Sequence, residues 1–255
     1  YYKKNDNTEL FKLLEENNLV DIQNYIPIYN RFFELNETNY KNVNLNQPYN
    51  ITGINPTDNP NKFKCTIQSE TQKINTDTFF KYSPLIDPIK FMVGKFKDVS
   101  NEYITTLPKL TNNICDPKVL DPNNSAYIDT FLSFICSEIT MNGMNPSFPI
   151  FYGSFNGIKE QFNFDISDDY DSLKNEYWFH KNMKQHDIII DMYVSSDSDD
   201  SDSDSCSDDI SDDISDDISD CISDDISDSD SDRDRDRDSN DYVIILKDLP
   251  VQCFF

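Results

Sequence analysis

The sequence predicts an α+β fold, short strands gathered around one main helix, and three observations carry that expectation. Lys62-Phe63-Lys64-Cys65-Thr66-Ile67-Gln68 alternates polar and apolar residues, as a half-buried strand does. A run opening at Asn124-Ser125, both capping residues, repeats Ile128, Phe131, Leu132, Ile135 and Ile139 at helical spacing. Ser195 to Asp241 holds 21 Asp against 3 Arg, so it carries −18 of the net charge of −25 and leaves −7 to the rest of the 255 residues. Two polymers with different physics therefore share the chain. About 200 residues hold most of the aromatic side chains and are enough to bury one core, whereas the acidic stretch has little to bury.

In chain order, Glu9 to Glu16 sets Leu10, Phe11, Leu13 and Leu14 among charges, which predicts a short amphipathic helix. A second helix is expected near Asp21, with Ile22 and Ile26 on its core side and Phe32, Phe33 and Leu35 following. From Asn36 to Asn61 the chain is Asn-rich and broken by Pro48, Pro56 and Pro60, so irregular structure is expected there. Thr78 to Tyr82 is a candidate strand closed by Pro84, and Asp87-Pro88 starts a helix through Phe91 and Phe96 that can pause at Gly94. Pro149 to Phe155 reads as a strand turning at Asn156-Gly157, with a return strand over Gln161 to Ile166. Tyr242 to Leu246 and Val251 to Phe255 read as two more strands, split by Lys247 to Pro250.

The acidic stretch contains a Ser-Asp-Asp-Ile repeat with Ile210, Ile214, Ile218, Ile222 and Ile226 in phase. Repulsion between the carboxylates outweighs the alignment of the Ile side chains, so an extended, disordered insertion is expected. Its serines, followed by acids, suit acidophilic kinases, and its charge suits basic protein partners.

Composition removes several function classes. The acidic balance excludes a basic nucleic-acid grip. No apolar run approaches the roughly 18 residues that cross a bilayer, and no secretory leader opens the chain, so neither a membrane nor a secreted location is expected. The 6 Cys are widely spaced with no C-x-x-C, and are read as reduced thiols. His180 and His186 lack a third ligand at metal spacing, so no metal site is expected. The start at Tyr1 and the stop at Phe255 inside an apolar run both look cut.

Lys81 closes the run Phe79-Phe80, where a strand lysine can aim one ammonium at a phosphate. A capped helix with Asp129 in its first turns follows, then the strand through Tyr152 and Gly153, then the last strands. A strand with Lys, a helix with an acid and two further strands is the order of a protein-kinase amino-terminal lobe.

The wording is similar too. Asp21-Ile22-Gln23-Asn24-Tyr25-Ile26-Pro27-Ile28-Tyr29, Phe32-Phe33-Glu34-Leu35-Asn36 and Lys81 to Phe91 (KYSPLIDPIKF) resemble protein-kinase-like proteins of giant, nucleocytoplasmic large DNA viruses of mimivirus type. Asn124 to Phe131 (NSAYIDTF), Phe151 to Ile158 (FYGSFNGI), Asp168 to Leu173 (DDYDSL) and Leu249-Pro250-Val251-Gln252 fit the same pattern. The resemblance implies a kinase-like lobe with an antiparallel sheet. For the full-length protein it implies ATP with magnesium, phosphoryl transfer to Ser or Thr of a protein substrate, and a location in the host cytoplasm, at the viral factory, or in the virion. Lys81 and Asp129 become the cofactor-binding candidates, with Glu138 the competing acid further along the same helix.

The chain departs from the pattern in its chemistry. Gly53 stands alone where a Gly-rich phosphate cover needs several glycines. No histidine-arginine-aspartate or histidine-asparagine-aspartate phrase occurs, and no Gly has an Asp two positions before it, so this chain has no expected catalytic residue or magnesium ligand. The organisation that follows is an N-terminal extension over 1–60, the lobe over 61–194, the acidic insertion over 195–241 and the last strands over 242–255. The competing expectation is a non-catalytic, pseudokinase-like or acidic interaction protein.

Overall fold

The computed structural model describes residues 7–43, 45, 48–93, 95–96, 98–111, 114–185, 189–194 and 240–255. In chain order they form α1 (Thr8–Glu15), β1 (Leu19–Gln23), β2 (Asn50–Pro56), β3 (Lys62–Gln68), β4 (Lys73–Phe79), β5 (Lys81–Pro84), α2 (Pro88–Met92), α3 (Asn101–Thr105), α4 (Pro117–Leu120) and α5 (Ser125–Met141). Then come β6 (Ser154–Asp165), α6 (Tyr170–Leu173), α7 (Tyr177–Gln185), β7 (Ile189–Val194) and β8 (Asn240–Phe254). The architecture is α+β with antiparallel sheets.

The main sheet runs β1-β6-β8-β5, with β7 also paired to β8, and a three-stranded sheet runs β2-β3-β4. β8 is the central strand. Ile244, Leu246, Leu249, Val251, Gln252 and Cys253 are all fully buried, as expected for a strand covered on both faces. β7 pairs with its amino-terminal part, ending at Val194↔Asn240, and β5 with its carboxyl-terminal part, at Lys81↔Phe254. In sequence, the acidic stretch lies between the end of β7 and the start of β8. Its root therefore lies about 45 Å of strand away from Lys81.

Only Phe80 separates β4 from β5, and it joins the two sheets. Its ring centroid is 4.5 Å from that of Phe63 on β3 and 4.5 Å from that of Phe255 at the end of β8. β3 buries Phe63, Cys65 and Ile67 on one face, as its alternation dictates.

Several expectations are corrected. The segment near Asp21 is not a helix but β1, kinked where Asp21 takes φ 52° and its register with β6 shifts. β2 lies inside the stretch read as irregular, with a register shift between Ile51 and Gly53. β1 and β2, both within the stretch expected as an N-terminal extension, belong one to each of the two sheets. Asn156-Gly157 is no turn. β6 passes straight through it, and Gly157 serves the close approach of β1, since a Cβ there would lie 2.9 Å from Leu19 Cδ1. The two last strands are one, β8, with Asp248 at φ 53° absorbing the bend between them. The helix after Asp87 ends at Met92, short of Phe96. The acidic stretch, its repeat included, falls outside the described residues except for Asn240 and Asp241, with which β8 begins.

The apolar pattern of α5 faces the core only in part, through Phe131. Its buried residues are Ala126, Tyr127, Thr130 and Ser137, whereas Ile128, Leu132 and Ile135 are exposed. No helix among the described residues is long and apolar enough to cross a membrane. Cys65, Cys115, Cys136 and Cys253 are free thiols.

Candidate functional site

β5 and α5 build the site between them. On β5 successive side chains alternate between faces, so Lys81 and Ser83 share the face that meets α5 while Tyr82 takes the other. Lys81 Nζ donates to Asp129 Oδ2 at 2.5 Å. Both side chains stay open to solvent, 49% exposed for Lys81 and 41% for Asp129. The ammonium also sits 5.6 Å from the centroid of Phe254, its cross-strand neighbour.

Asp129 is placed by the start of its helix. Asn124 caps α5, its Oδ1 accepting from the Ala126 amide at 3.1 Å, while its Nδ2 donates to the carbonyls of Leu85 and Lys118, each at 2.9 Å. One buried side chain thereby ties the helix start to the end of β5 and to α4. Tyr127 Oη adds a 2.7 Å bond to the Val119 carbonyl. Further along the helix, Ser137 Oγ accepts from the Phe151 amide at 2.9 Å, fixing α5 to the approach of β6.

Two clefts open on the pair. One, of about 610 Å³, runs between α5 and the ends of β5 and β8, with Leu132, Cys136, Tyr152 and Phe254 among its walls. The other, of about 600 Å³, lies at the start of α5 and includes Ser83, Asp87, Lys118 and Ser125. An ammonium at the mouth of an aromatic-walled cleft, held by one carboxylate and still half in water, is able to exchange or share that partner with an incoming anion.

Comparison of the chain with known protein families, with curated proteins and with solved structures finds no match. The site is therefore described from its own geometry.

Of the residues singled out from the sequence, Lys81 and Asp129 meet, and Glu138 is not bonded to Lys81. His180 lies at the surface with Nε2 2.6 Å from the Lys174 carbonyl, and His186 is outside the described residues. Among the described residues no group of three or more His, Cys, Asp or Glu could hold a metal. Sequence reasoning missed Lys118, although Asp116-Pro117 repeats the Asp-Pro helix start seen at Asp87-Pro88, with the Asp116 carboxylate accepting from the Lys118 amide at 2.8 Å. Lys159 also escapes it, since a turn at Asn156-Gly157 and a return strand from Gln161 leave Lys159 between the two strands.

Proposed function

We propose that this chain is the nucleotide-side lobe of a viral protein-kinase-like protein, in which Lys81 contacts the phosphates of ATP and Asp129 holds Lys81 in place. One observation carries the reading: a strand lysine paired with an acid on the longest helix among the described residues, the pair that in protein kinases positions the nucleotide's phosphates. The antiparallel pairing of the lysine's strand with the carboxyl-terminal strand supports it. So does the cleft beside Phe254 and Tyr152, where an aromatic base has walls to stack on.

The residues present fit the phosphate end of ATP. For its magnesium they offer no dedicated cage: the acid in the pair is engaged by Lys81, and no group of three or more His, Cys, Asp or Glu that could hold a metal lies among the described residues. The chain therefore binds nucleotide without transferring phosphate to Ser or Thr by itself. A second part of the protein would bring the catalytic base and the metal ligands.

Equilibrium dialysis of the purified chain against ATP tests this. Saturable binding that falls about tenfold or more in Lys81→Met is expected for loss of a charge-assisted phosphate contact. Binding unchanged by Lys81→Met, or ATP-dependent phosphorylation of a protein substrate that survives Lys81→Met, refutes it.

A second reading, a non-catalytic protein that recruits basic partners, is favoured by one observation. Val194 pairs with Asn240, so the two residues that flank the acidic stretch meet at one corner of the sheet. Retention of basic proteins by the chain, lost on deleting 195–239 and independent of Lys81, would favour that reading.

A further inference from the structure

The face of the main sheet turned away from α5 carries a second lysine that the nucleotide reading does not use. Tyr82, Cys253 and Phe155 share a register position across β5, β8 and β6, and Lys159 lies on the same side of β6 as Phe155. Lys159 Nζ donates to the Asn17 carbonyl at 2.9 Å and sits 4.7 Å from the centroid of the Tyr82 ring. No carboxylate among the described residues pairs with it. Burial lowers the pKa of this amine, while Cys253 and Glu160 pull the other way.

The lysine opens into a cleft of about 400 Å³ between the turn that joins β2 to β3, the end of α1 and β6. Lys159 faces one carboxylate in the cleft, the exposed Glu16, while the ammonium of Lys81, which also borders the cleft, is paired with Asp129. Asn18, Asn61, Gln161 and Asn163 supply amide donors, and Phe63, Phe79 and Phe162 supply apolar wall.

A desolvated ammonium with one neutral acceptor has lost water without gaining a counter-charge, and an oxyanion restores that balance through charge-assisted hydrogen bonds. The volume falls in the range of small-molecule sites and exceeds what a bare phosphate fills. We infer that this cleft binds a small organic anion, an apolar body bearing one phosphate or carboxylate group, with the oxyanion on Lys159. The site is separate from the nucleotide assignment and does not rest on it.

Amide NMR of the full 255-residue chain, titrated with phenyl phosphate and in parallel with the neutral benzyl alcohol, tests the inference. The expected result is a saturable shift of the Asn18, Lys159 and Gln161 amides with phenyl phosphate alone. Lys159→Met should weaken that binding about tenfold or more, and Glu16→Gln, at the exposed rim, should tighten it severalfold by removing the opposing charge. Glu16→Gln carries the test if Lys159→Met does not fold. Absence of a saturable shift, equal shifts with benzyl alcohol, or an affinity that no folded variant changes would each overturn the site.

Discussion

Lys81 and Asp129 lie 48 positions apart in the chain and meet at 2.5 Å across the gap between β5 and α5. Neither is buried, so the pair is poorly placed to stabilise the fold and well placed to meet a ligand. Exposed ion pairs contribute about 0–1 kcal/mol, because water screens the attraction and ordering two long side chains costs entropy.

Asp129→Asn is accordingly expected to change unfolding free energy by less than about 1 kcal/mol in urea titrations, while weakening ATP binding in the dialysis assay. A loss of stability well above that, with nucleotide affinity intact, would make the pair structural.

Asn124→Ala should behave in the opposite way. It removes a helix cap and strips the Leu85 and Lys118 carbonyls of their partner, so a cost of about 2–4 kcal/mol is expected by urea unfolding. A cost below about 1 kcal/mol would show that Asn124 does not hold α5 against β5.

Phe80 and Phe79 are adjacent, and burial separates them: Phe80 is 0% exposed and Phe79 54%. Phe80→Ala should cost about 3–5 kcal/mol as a core cavity, and Phe79→Ala less than about 1 kcal/mol as a surface change. Equal costs in chemical denaturation would contradict the position given to the break between β4 and β5.

Gly157→Ala places a Cβ 2.9 Å from Leu19 Cδ1 and 3.2 Å from the Val20 carbonyl. A destabilisation of about 1–3 kcal/mol is expected from the overpacking, and a Leu19→Ala background should relieve part of it. If Gly157→Ala is neutral or stabilising, Gly157 is instead a turn glycine or an open position.

Alkaline pH should unfold the protein early. Burial raises the pKa of the Cys65 and Cys253 thiols above the ordinary 9.0, and of the Tyr29, Tyr82 and Tyr127 phenols above the ordinary 10.0. Groups raised in the folded state contribute stability that is complete below their unfolded values and is lost as pH climbs past them. Thermal stability should therefore be flat near neutrality and fall from about pH 9 upward. Lys159, lowered from 10.5 by burial, opposes that fall: its contribution is complete above 10.5 and lost as pH drops through its folded value. Because the Tyr82 hydroxyl is buried without a partner, Tyr82→Phe should flatten the alkaline loss and leave neutral stability equal or higher. Stability that is constant through pH 11 would contradict the burial of these groups.

Much of the site was legible because short-range chemistry specifies it. Asn124-Ser125 and Asp87-Pro88 announce their helices whatever they pack against, and a helix start favours an acid in its first turns, where Asp129 lies. The alternation in β3 reports its own burial for the same local reason. What could not be read depends on partners far along the chain. Gly157 resembles a turn glycine until Leu19 is seen to need its missing side chain. Asn156 sits in mid-strand with its amide donating 2.9 Å to the Tyr25 carbonyl, a tie spanning 131 positions. The apolar stripe of α5 predicts a core face, yet Leu132 is 52% exposed beside the cleft, because Ala126, Tyr127, Thr130 and Ser137 take the packed side.

The assignment of Lys81 to the phosphates of a nucleotide is tested most directly by labelling the purified chain with an acyl-phosphate derivative of ATP and mapping the acylated lysine by peptide mass spectrometry. Acylation concentrated at Lys81 and suppressed by excess ATP is the expected result. Acylation spread over surface lysines, with Lys81 no more reactive than the rest and no protection by ATP, would remove the nucleotide from this cleft.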